Sequence, residues 1–341
     1  MAYEVTIGIP VYNVEQYIRQ TMDSALAQTF PDIEFLVLDD CGTDSSMDIV
    51  REYQHTHPRG RNIRIVRQPK NLGIGQGRNR IIDEALGHYL FFLDADDLMV
   101  PDAISLLVDV ARKYEVQFVA ASYEKVETYH GHVKKIEYLL PSKVFRHEHE
   151  LATFAFAQYG ALQANVWNVL MDLQLLRQYS LRFIDTNYWE DMAFKYTMVT
   201  YITRAVLLPN VTYSYMCREN SLSNFQARQE LPKSEVLRNV ATINVLKQDY
   251  RRLLKKPYFA GWLEFVLKTD FFIILNVLKN RHLIHPSISN YELQHFLDTP
   301  LSVWQTLRYT NMRCFLFKLL SLLPTAISIR LIKLMQNTKA E

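Results

Sequence analysis

Three carboxylates within four residues are the strongest chemical signal in the sequence. Asp94, Asp96 and Asp97 follow the apolar run 89–93 directly. Negative charges this close repel one another, which is costly unless a cation lies among them. Carboxylate oxygens suit Mg²⁺ or Mn²⁺, and such ions reach a substrate diphosphate through one or two carboxylates. The alternative is that Asp96 or Asp97 caps a following helix, because N-caps and first helical turns favour acidic residues.

Four other segments carry side chains that could bind or activate a substrate, namely residues 39–44, 71–80, 189–191 and 213–223. The first is acidic and could accept hydrogen bonds from a nucleotide base or ribose. The second alternates glycine with other residues and carries Arg78 and Arg80, which suit a phosphate at a helix start. Glu190 and Asp191 in the third could act as a general base. The fourth surrounds Arg218 with aromatic and hydroxyl side chains, which suits a diphosphate or sugar.

Each of these four segments also has an ordinary structural interpretation. Asp, Gly and Thr favour a turn and a helix cap at residues 39–44. Residues 71–80 could be a flexible loop with solvated arginines. Acidic residues at 190 and 191 suit the first turn of a helix, because the positive end of the helix dipole lies there. Residues 213–223 could be a strand with one packed face.

Strand and helix patterns alternate through the first third of the chain. Short apolar runs predict strands at residues 5–10, 33–38, 63–67, 89–93 and 118–121, and helical spacing predicts helices at 15–28, 45–53, 78–86 and 102–114. Such alternation implies a mostly parallel sheet with helices on both faces. Ligands of these sheets bind beyond the carboxyl ends of the strands. We therefore expect Asn13, Asp39, Asp40, Asp94 and Asp96 to gather along one edge.

The pattern changes after about residue 123 and becomes helical from about residue 230. Helices are predicted at 147–158, 167–179, 189–201, 236–254, 262–278, 291–297, 301–309 and 315–335. We therefore predict an α/β domain over residues 1–224 and a helical C-terminal region over residues 225–341.

The ordered segments resemble glycosyltransferase family 2, the inverting nucleotide-sugar enzymes of GT-A fold. The resemblance covers about residues 3–224 and rests on Ile7-Gly8-Ile9-Pro10-Val11-Tyr12-Asn13, Asp39-Asp40, Asn71-x-Gly73 with Arg78-Asn79, Asp94-Ala95-Asp96-Asp97, Trp167-Asn168, Trp189-Glu190-Asp191 and the Tyr/Arg/Ser segment. It implies a GT-A, Rossmann-like, mostly parallel sheet with helices on both faces. The nucleotide-sugar half would span about residues 1–122 and the acceptor half about 123–224, followed by the helical extension.

The resemblance also implies a role for individual residues. Residues that would bind the nucleotide-sugar are Pro10, Tyr12, Asn13, Asp40, Arg78, Asp94, Glu190 and Arg218. Asp96, helped by Asp94, would hold Mg²⁺ or Mn²⁺, and Asp191 would be the catalytic base. The sequence departs from the family pattern at two places, and neither removes a proposed reacting group. Where the family has Asp-Asp-Gly-Ser, this chain has Asp39-Asp40-Cys41-Gly42, and Gly77 replaces the usual alanine before Arg78.

The function expected from this resemblance is transfer of one sugar from a nucleotide-diphosphate sugar, with a UDP-sugar favoured, to a hydroxyl of a glycan or lipid-linked glycan. Cell-surface or capsular polysaccharide synthesis would need such a step. The Gln-x-x-Arg-Trp signature of processive synthases does not occur, which favours single-sugar addition.

A sugar nucleotidyltransferase would carry a Gly-rich basic loop after the first strand, where this chain has Pro10 to Glu15. A catalytically inactive nucleotide-sugar-binding partner is the non-enzymatic alternative.

Charge and cysteine content restrict the partners and the compartment. The net charge is +2, but residues 225–341 hold 17 Lys and Arg against 8 Asp and Glu, so residues 1–224 carry a charge of −7. An acidic first part argues against nucleic acid. The basic, aromatic-rich C-terminal region suits either peripheral contact with a membrane surface or packing against the catalytic domain. The three cysteines are far apart in the sequence and no leader pattern is present, so we predict a cytoplasmic protein. If the protein contacts lipid, it would do so at the inner face of the cytoplasmic membrane.

Overall fold

Four parallel strands near the N-terminus build the part of the sheet that positions the acidic segments in the computed structural model. Strand β1 (Tyr3–Val11) lies between β2 (Ile33–Asp39) and β4 (Gly87–Phe92), and β3 (Ile63–Arg67) pairs with β2. The residues of β1, β2 and β4 are mostly buried and rich in β-branched and aromatic side chains. Such runs are typical of strands covered on both faces.

Helices cover both faces of these strands, as predicted. Ile7 and Ile9 of β1 share a core with residues of three helices, α1 (Ile18–Leu26), α2 (Ser46–Thr56) and α4 (Ala103–Tyr114). Gly8 points to the opposite face, where α3 (Ile74–Glu84) lies. A Cβ at Gly8 would be 2.4 Å from the side chain of Ile81, so glycine at this position permits the close approach of α3.

The sheet continues past β4 through strands from later in the sequence. Its strand order is β3-β2-β1-β4-β9-β6-β10-β5, with β7 paired to β6 and β8 paired to β10. The added strands are β5 (Leu98–Met99), β6 (Phe118–Tyr129), β7 (His132–Tyr138), β8 (Lys143–Phe145), β9 (Val169–Asp172) and β10 (Ala205–Cys217). Strand β9 runs antiparallel to β4 and β6, whereas β10 is parallel to β6.

The helix predicted over residues 167–179 is wrong in its first half. Residues 169–172 form β9, and only α6 (Leu173–Gln178) is helical. A short apolar run fits a buried strand as well as a helix, so periodicity alone does not separate them. Asp172 marks the change, because its Oδ1 accepts a hydrogen bond from the backbone N–H of Leu175 at 2.9 Å. The other helices before residue 200 are α5 (Glu150–Ala157) and α7 (Glu190–Met198).

The C-terminal region is helical, as predicted. After β11 (Leu231–Pro232) it contains α8 (Lys233–Gln248), α9 (Tyr250–Leu253), α10 (Phe259–Lys279), β12 (Ile284–His285), α11 (Asn290–His295), α12 (Val303–Tyr309), α13 (Met312–Leu322) and α14 (Thr325–Asn337). The helix predicted over 315–335 is two helices, because Pro324 cannot continue the backbone hydrogen bonds of α13.

The described residues are 2–129, 132–157, 160–186, 189–217 and 230–337. Their contacts divide the chain into two units. The first contains residues 1–151, 164–187 and 194–224, and the second contains 152–163, 188–193 and 225–341. Within the described ranges, no helix is both long and apolar enough to cross a bilayer.

Candidate functional site

The acidic triplet lies where β4 ends and before the two-residue strand β5. The interpretation of Asp96 or Asp97 as a helix cap is wrong, because the next helix, α4, begins at Ala103 and Asp102 is its N-cap residue. Asp97 is instead fully buried. Its Oδ2 accepts a hydrogen bond from the hydroxyl of Tyr213 at 2.8 Å, and its Oδ1 accepts one from the backbone N–H of Met216 at 2.8 Å. Asp97 therefore anchors the triplet to strand β10.

Burial determines the protonation behaviour of this anchor. Removal from water, followed by the nearby charges of Asp94 and Asp96, raises the pKa of the Asp97 carboxyl well above its ordinary value. The hydrogen bonds from Met216 and Tyr213 oppose this rise but do not outweigh it. Burial also raises the pKa of Tyr213, so this hydroxyl stays protonated and donates to Asp97. The Tyr213 hydroxyl also accepts the backbone N–H of Asp94 at 3.3 Å.

Arg78 binds the first carboxylate of the triplet. Its Nη2 lies 2.9 Å from Oδ1 of Asp94, and the two side chains are 5% and 25% exposed. The guanidinium carbon lies 5.9 Å from the ring centre of Phe92 and 5.5 Å from that of Phe183. A cation held between two rings and a carboxylate has little freedom to move. Arg78 therefore holds Asp94 in one orientation and offsets part of the triplet's charge.

The glycine-rich segment brings Arg78 into place by close packing. Helix α3 begins at Ile74, so the start predicted at residue 78 is four residues late, and the flexible-loop interpretation of 71–80 is wrong over its helical part. A Cβ at Gly77 would lie 2.9 Å from the side chain of Leu38, and one at Gly75 would lie 2.8 Å from the carbonyl of Ile184. Both glycines permit contacts that a larger residue would prevent.

Four of the predicted nucleotide-sugar residues, Pro10, Tyr12, Asn13 and Asp40, lie at the carboxyl ends of β1 and β2. The backbone N–H of Asp40 donates to the carbonyl of Val11 at 3.0 Å. The Asp40 carboxylate accepts the N–H groups of Leu72 and Gly73 at 3.0 and 3.2 Å. Burial raises the pKa of Asp40 despite these two bonds. Asp40 thus joins the end of β2 to the segment leading into α3.

The turn after Asp40 contains Cys41-Gly42 where the family pattern has Gly-Ser, and its backbone conformation accommodates this difference. Cys41 adopts a left-handed conformation with φ of 60°, and its N–H donates to Asp39 Oδ1 at 2.9 Å. Gly42 follows, where an added Cβ would lie 2.9 Å from the Asn13 side chain. Oδ1 of Asn13 accepts the N–H of Thr43 at 2.7 Å. The displaced glycine therefore allows Asn13 to approach the turn.

Seven of the predicted site residues lie at the carboxyl edge of β1, β2 and β4 within the first unit: Pro10, Tyr12, Asn13, Asp40, Arg78, Asp94 and Asp96. Tyr12 is 47% exposed and Pro10 is buried. Glu190 and Asp191 form the first turn of α7 and belong to the second unit. Asp191 Oδ1 accepts the backbone N–H of Met192 at 2.7 Å. Arg218 lies outside the described residues.

Two carboxylates remain as candidates for a divalent cation. Among the described residues, no group of three or more His, Cys, Asp or Glu side chains is arranged to hold a metal ion. Both oxygens of Asp97 already accept hydrogen bonds, and Asp94 uses one oxygen for Arg78. Asp94 and Asp96 are both partly exposed at the sheet edge. Two carboxylates fit Mg²⁺ or Mn²⁺ when water and substrate phosphate oxygens complete the coordination.

The aromatic and amide contacts that support the triplet were not predicted from the sequence. Trp167 stacks on Tyr213 with ring centres 4.6 Å apart and on Tyr215 at 5.6 Å. Asn168 follows in a left-handed conformation with φ of 58°. Its amide donates to the carbonyls of Ala121 and Ser122 at 3.0 and 2.9 Å. The Trp167-Asn168 pair was an available signal, but only the fold shows that it supports β10 and β6.

Removing the Tyr213 hydroxyl is expected to destabilise the protein. Tyr213→Phe takes one hydrogen bond from buried Asp97 and leaves the ring stack intact, so the free energy of unfolding should fall by about 1–3 kcal/mol. Urea unfolding measures this change. Tyr138→Phe is the control, because Tyr138 is a stacked but exposed tyrosine and should lose less than about 0.5 kcal/mol. Equal effects of the two changes would contradict the anchoring role.

Known proteins resemble this chain in sequence and fold. The sequence profile described as Glycosyl transferase family 2 matches residues 6–181. Chondroitin synthase of Escherichia coli is 41% identical over 109 residues, which are 32% of this chain and 15% of that protein. Glycosyltransferase GlyA of Streptococcus pneumoniae is 28% identical over 228 residues, 64% of this chain and 31% of GlyA. The matches thus span less than a third of either relative.

The fold agrees with these sequence matches. The crystal structure of S. aureus TarS 1-349 in complex with UDP superposes with a TM-score of 0.61 at 16% identity, covering 86% of this chain and 78% of that TarS segment. A second crystal structure, of the same TarS segment in complex with UDP-GlcNAc, gives a TM-score of 0.57 and covers 93% of this chain and 90% of the segment. Since the family profile covers more than half of the chain and the sheet has the predicted GT-A arrangement, the chain belongs to glycosyl transferase family 2.

Proposed function

We propose that the chain is an inverting glycosyltransferase that moves one sugar from a nucleotide-diphosphate sugar to an acceptor hydroxyl, assisted by a divalent cation. The observation that carries this proposal is the Arg78–Asp94 pair beside Asp96, at the sheet edge that also holds Asp40 and Asn13. A cation-binding carboxylate pair next to a nucleotide-binding edge is what a diphosphate leaving group needs.

A UDP-sugar is the donor that we propose. The structures of TarS, which has the same fold, are described as complexes with UDP and with UDP-GlcNAc. Tyr12, exposed at the end of β1, would stack on the base, and Asp40 would orient the base or ribose through the turn that it holds. Pro10 would line this base pocket. Glu190 and Arg218 would contact the sugar and the diphosphate, respectively, in the assignment that the family resemblance implies.

The proposed reaction is a single displacement at the anomeric carbon. Asp94 and Asp96 would hold Mg²⁺ or Mn²⁺, which supplies positive charge opposite the departing nucleoside diphosphate. Asp191 takes the proton from the acceptor hydroxyl. The acceptor oxygen forms a bond to the anomeric carbon as the bond from that carbon to the diphosphate oxygen breaks, so the configuration inverts. Arg78 keeps Asp94 oriented throughout.

The acceptor that we propose is a glycan or a lipid-linked glycan of a cell-surface polysaccharide, on the cytoplasmic side of the membrane. The relatives include chondroitin synthase of E. coli and a protein named as a putative teichuronic acid biosynthesis glycosyltransferase, TuaG, of Bacillus subtilis, 32% identical over 119 residues. These names support polysaccharide synthesis as the context. Nucleic acid is not proposed as a partner, because the nucleotide half carries net negative charge.

Cation-dependent donor binding tests the site. UDP-GlcNAc with Mn²⁺ should raise the melting temperature, because a ligand that binds only the folded state adds about 2.7 kcal/mol when present at 100 times its Kd. Asp96→Asn should abolish the part of this shift that depends on Mn²⁺. Asp109→Asn is the matched control, because Asp109 is an exposed carboxylate on α4. An undiminished Mn²⁺-dependent shift in Asp96→Asn would rule out the metal assignment.

Donor hydrolysis separates this function from its alternatives. A transferase slowly releases UDP and free sugar from UDP-GlcNAc when no acceptor is present. A sugar nucleotidyltransferase would instead exchange pyrophosphate into the nucleotide-sugar, and an inactive nucleotide-sugar-binding partner would bind without turnover. Measuring UDP release and pyrophosphate exchange on the same sample, with Mn²⁺, distinguishes the three.

A further inference from the structure

Helix α13 has two apolar faces, and one of them is packed against other described residues. Its inward residues are buried: Cys314, Phe317 and Leu320. Residues on its outer side are exposed at helical spacing, namely Met312 (67%), Leu316 (49%) and Leu319 (38%). Positions three and four apart lie on one stripe of a helix. The stripe on α13 is therefore an apolar surface that the described residues leave uncovered.

The helices on either side of α13 in the sequence continue this pattern. Trp304 of α12 is 81% exposed, the highest value among the large apolar side chains of the described residues. Further apolar residues exposed on α12 and α14 are Leu307 (47%), Ile327 (50%), Leu331 (38%) and Leu334 (55%). We call these exposed residues of α12, α13 and α14 the C-terminal apolar face. Large apolar side chains exposed on three successive helices are typical of a binding surface.

The charged residues on the three helices themselves are all basic. Residues 299–340 contain no Asp or Glu. Arg308, Arg330 and Lys333 are exposed on the same helices as the apolar residues. Residues 299–341 hold six Lys and Arg and one acidic residue, Glu341, so they carry +5 while residues 1–298 carry −3. Basic residues without acidic neighbours in the sequence therefore accompany the exposed apolar side chains of these helices.

We propose that the C-terminal apolar face docks on an anionic phospholipid surface. Apolar side chains such as Trp304 and Leu316 would enter the boundary between headgroups and acyl chains, and the arginines and lysine would contact lipid phosphates, as interfacial amphipathic helices do. The negative remainder of the chain is repelled by the same lipids, so the charge distribution selects this face for contact.

The charge pattern argues against the other occupants of an apolar face. A second copy of this chain would bring like charges together, because the face carries no acidic side chain that could pair with its own arginines. A spanning arrangement does not fit, since no described helix is long and apolar enough. Docking would bring the enzyme to a lipid-linked acceptor, and this consequence alone rests on the proposed function.

Co-sedimentation with vesicles tests the docking. The whole chain should bind vesicles of phosphatidylcholine mixed with phosphatidylglycerol, and it should bind vesicles of phosphatidylcholine alone much less. Binding to the anionic vesicles should weaken as the salt concentration is raised. Arg330→Gln with Lys333→Gln should lower the partition coefficient by about tenfold or more, from the contribution of each cation near an anionic surface. Leu316→Glu with Leu331→Glu should abolish binding. Equal binding to neutral and anionic vesicles would overturn the proposal.

Two controls keep the result interpretable. Leu237→Glu on α8 changes another exposed leucine of the same unit (38%) and should leave vesicle binding unchanged. UDP release from UDP-GlcNAc in solution should be the same in all of these variants, so failure of docking is distinguished from failure of the proposed catalysis.

In the unmutated chain, anionic vesicles should shift tryptophan emission to the blue, and Trp304→Phe should remove that shift. The lipid assignment would be refuted if the unmutated chain self-associated but did not bind vesicles, and if Leu316→Glu with Leu331→Glu abolished the self-association. That result would identify a second copy of the chain as the occupant of the face.

Discussion

Replacing Asp191 by Asn is expected to lower the turnover number by about 10²–10⁴-fold, the range that a positioned general base contributes. Donor affinity should stay nearly unchanged, because the base acts on the acceptor hydroxyl. The amide oxygen of Asn can still accept the N–H of Met192 that Asp191 Oδ1 accepts at 2.7 Å. The start of α7 should therefore persist. Steady-state transfer kinetics and calorimetric binding of UDP-GlcNAc with Mn²⁺ measure the two quantities.

Two other carboxylates, Glu190 beside Asp191 and Asp109 on α4, serve as comparisons for the Asp191→Asn variant. Asp109→Asn, on the exposed side of α4, should retain full turnover. Glu190→Gln should change donor affinity more than turnover, because the family resemblance places Glu190 at the nucleotide-sugar. Near-normal turnover by Asp191→Asn would remove Asp191 from the mechanism and leave the donor site assignment standing on Asp96 and Arg78.

Replacing Lys247 by Met is expected to destabilise the helical unit by about 3–5 kcal/mol at pH 8, because it leaves a buried carboxylate without its counter-charge. Lys247 Nζ lies 2.7 Å from Oδ2 of Asp270, and the two side chains are 7% and 0% exposed. The same ammonium group donates to the carbonyl of Phe296 at 2.8 Å. The free energy of unfolding in urea measures the loss.

The dependence on pH distinguishes this mechanism from a simple packing defect. Burial raises the pKa of Asp270 to about 7, even though Lys247 opposes the rise. In the unfolded chain the pKa of Asp is about 3.9. Because the native state holds this proton more tightly, Asp270 makes the stability of the unmutated protein fall as pH rises from about 4 to about 7. Asp270→Asn should remove that slope. The penalty of Lys247→Met should be smaller at pH 5 than at pH 8.

Two further variants complete the test of the Lys247–Asp270 pair. The double variant Lys247→Met with Asp270→Leu should recover most of the lost stability, because no buried charge remains. Lys268→Met should cost no more than about 1 kcal/mol, since its partner Glu264 keeps hydrogen bonds from Arg313 and Asn311. A uniform penalty for Lys247→Met at both pH values would contradict the electrostatic explanation.

The first half of the sheet was predictable because its signals are local. Strands of the parallel sheet are short apolar runs with β-branched residues, and each is followed by a helix of regular spacing. Asp40, Asp94 and Asp96 could be assigned to one edge without coordinates, because strands of a parallel sheet end on the same side. Strand β9 was not predictable in this way. Its four residues join the sheet through pairing with β4 and β6, which are far away in the sequence.

The sequence by itself determined the family, the order of the acidic segments and the sheet edge at which they meet, because motif spacing and hydrophobic period are properties of neighbouring residues. The tertiary structure decided what each carboxylate of the triplet can do. Asp97 is buried against Tyr213 and Met216, 116 and 119 residues away, and Asp94 is held by Arg78. Only folding brings such distant donors within hydrogen-bonding distance, so only the structure separates the anchoring carboxylate from the two that we propose as cation ligands.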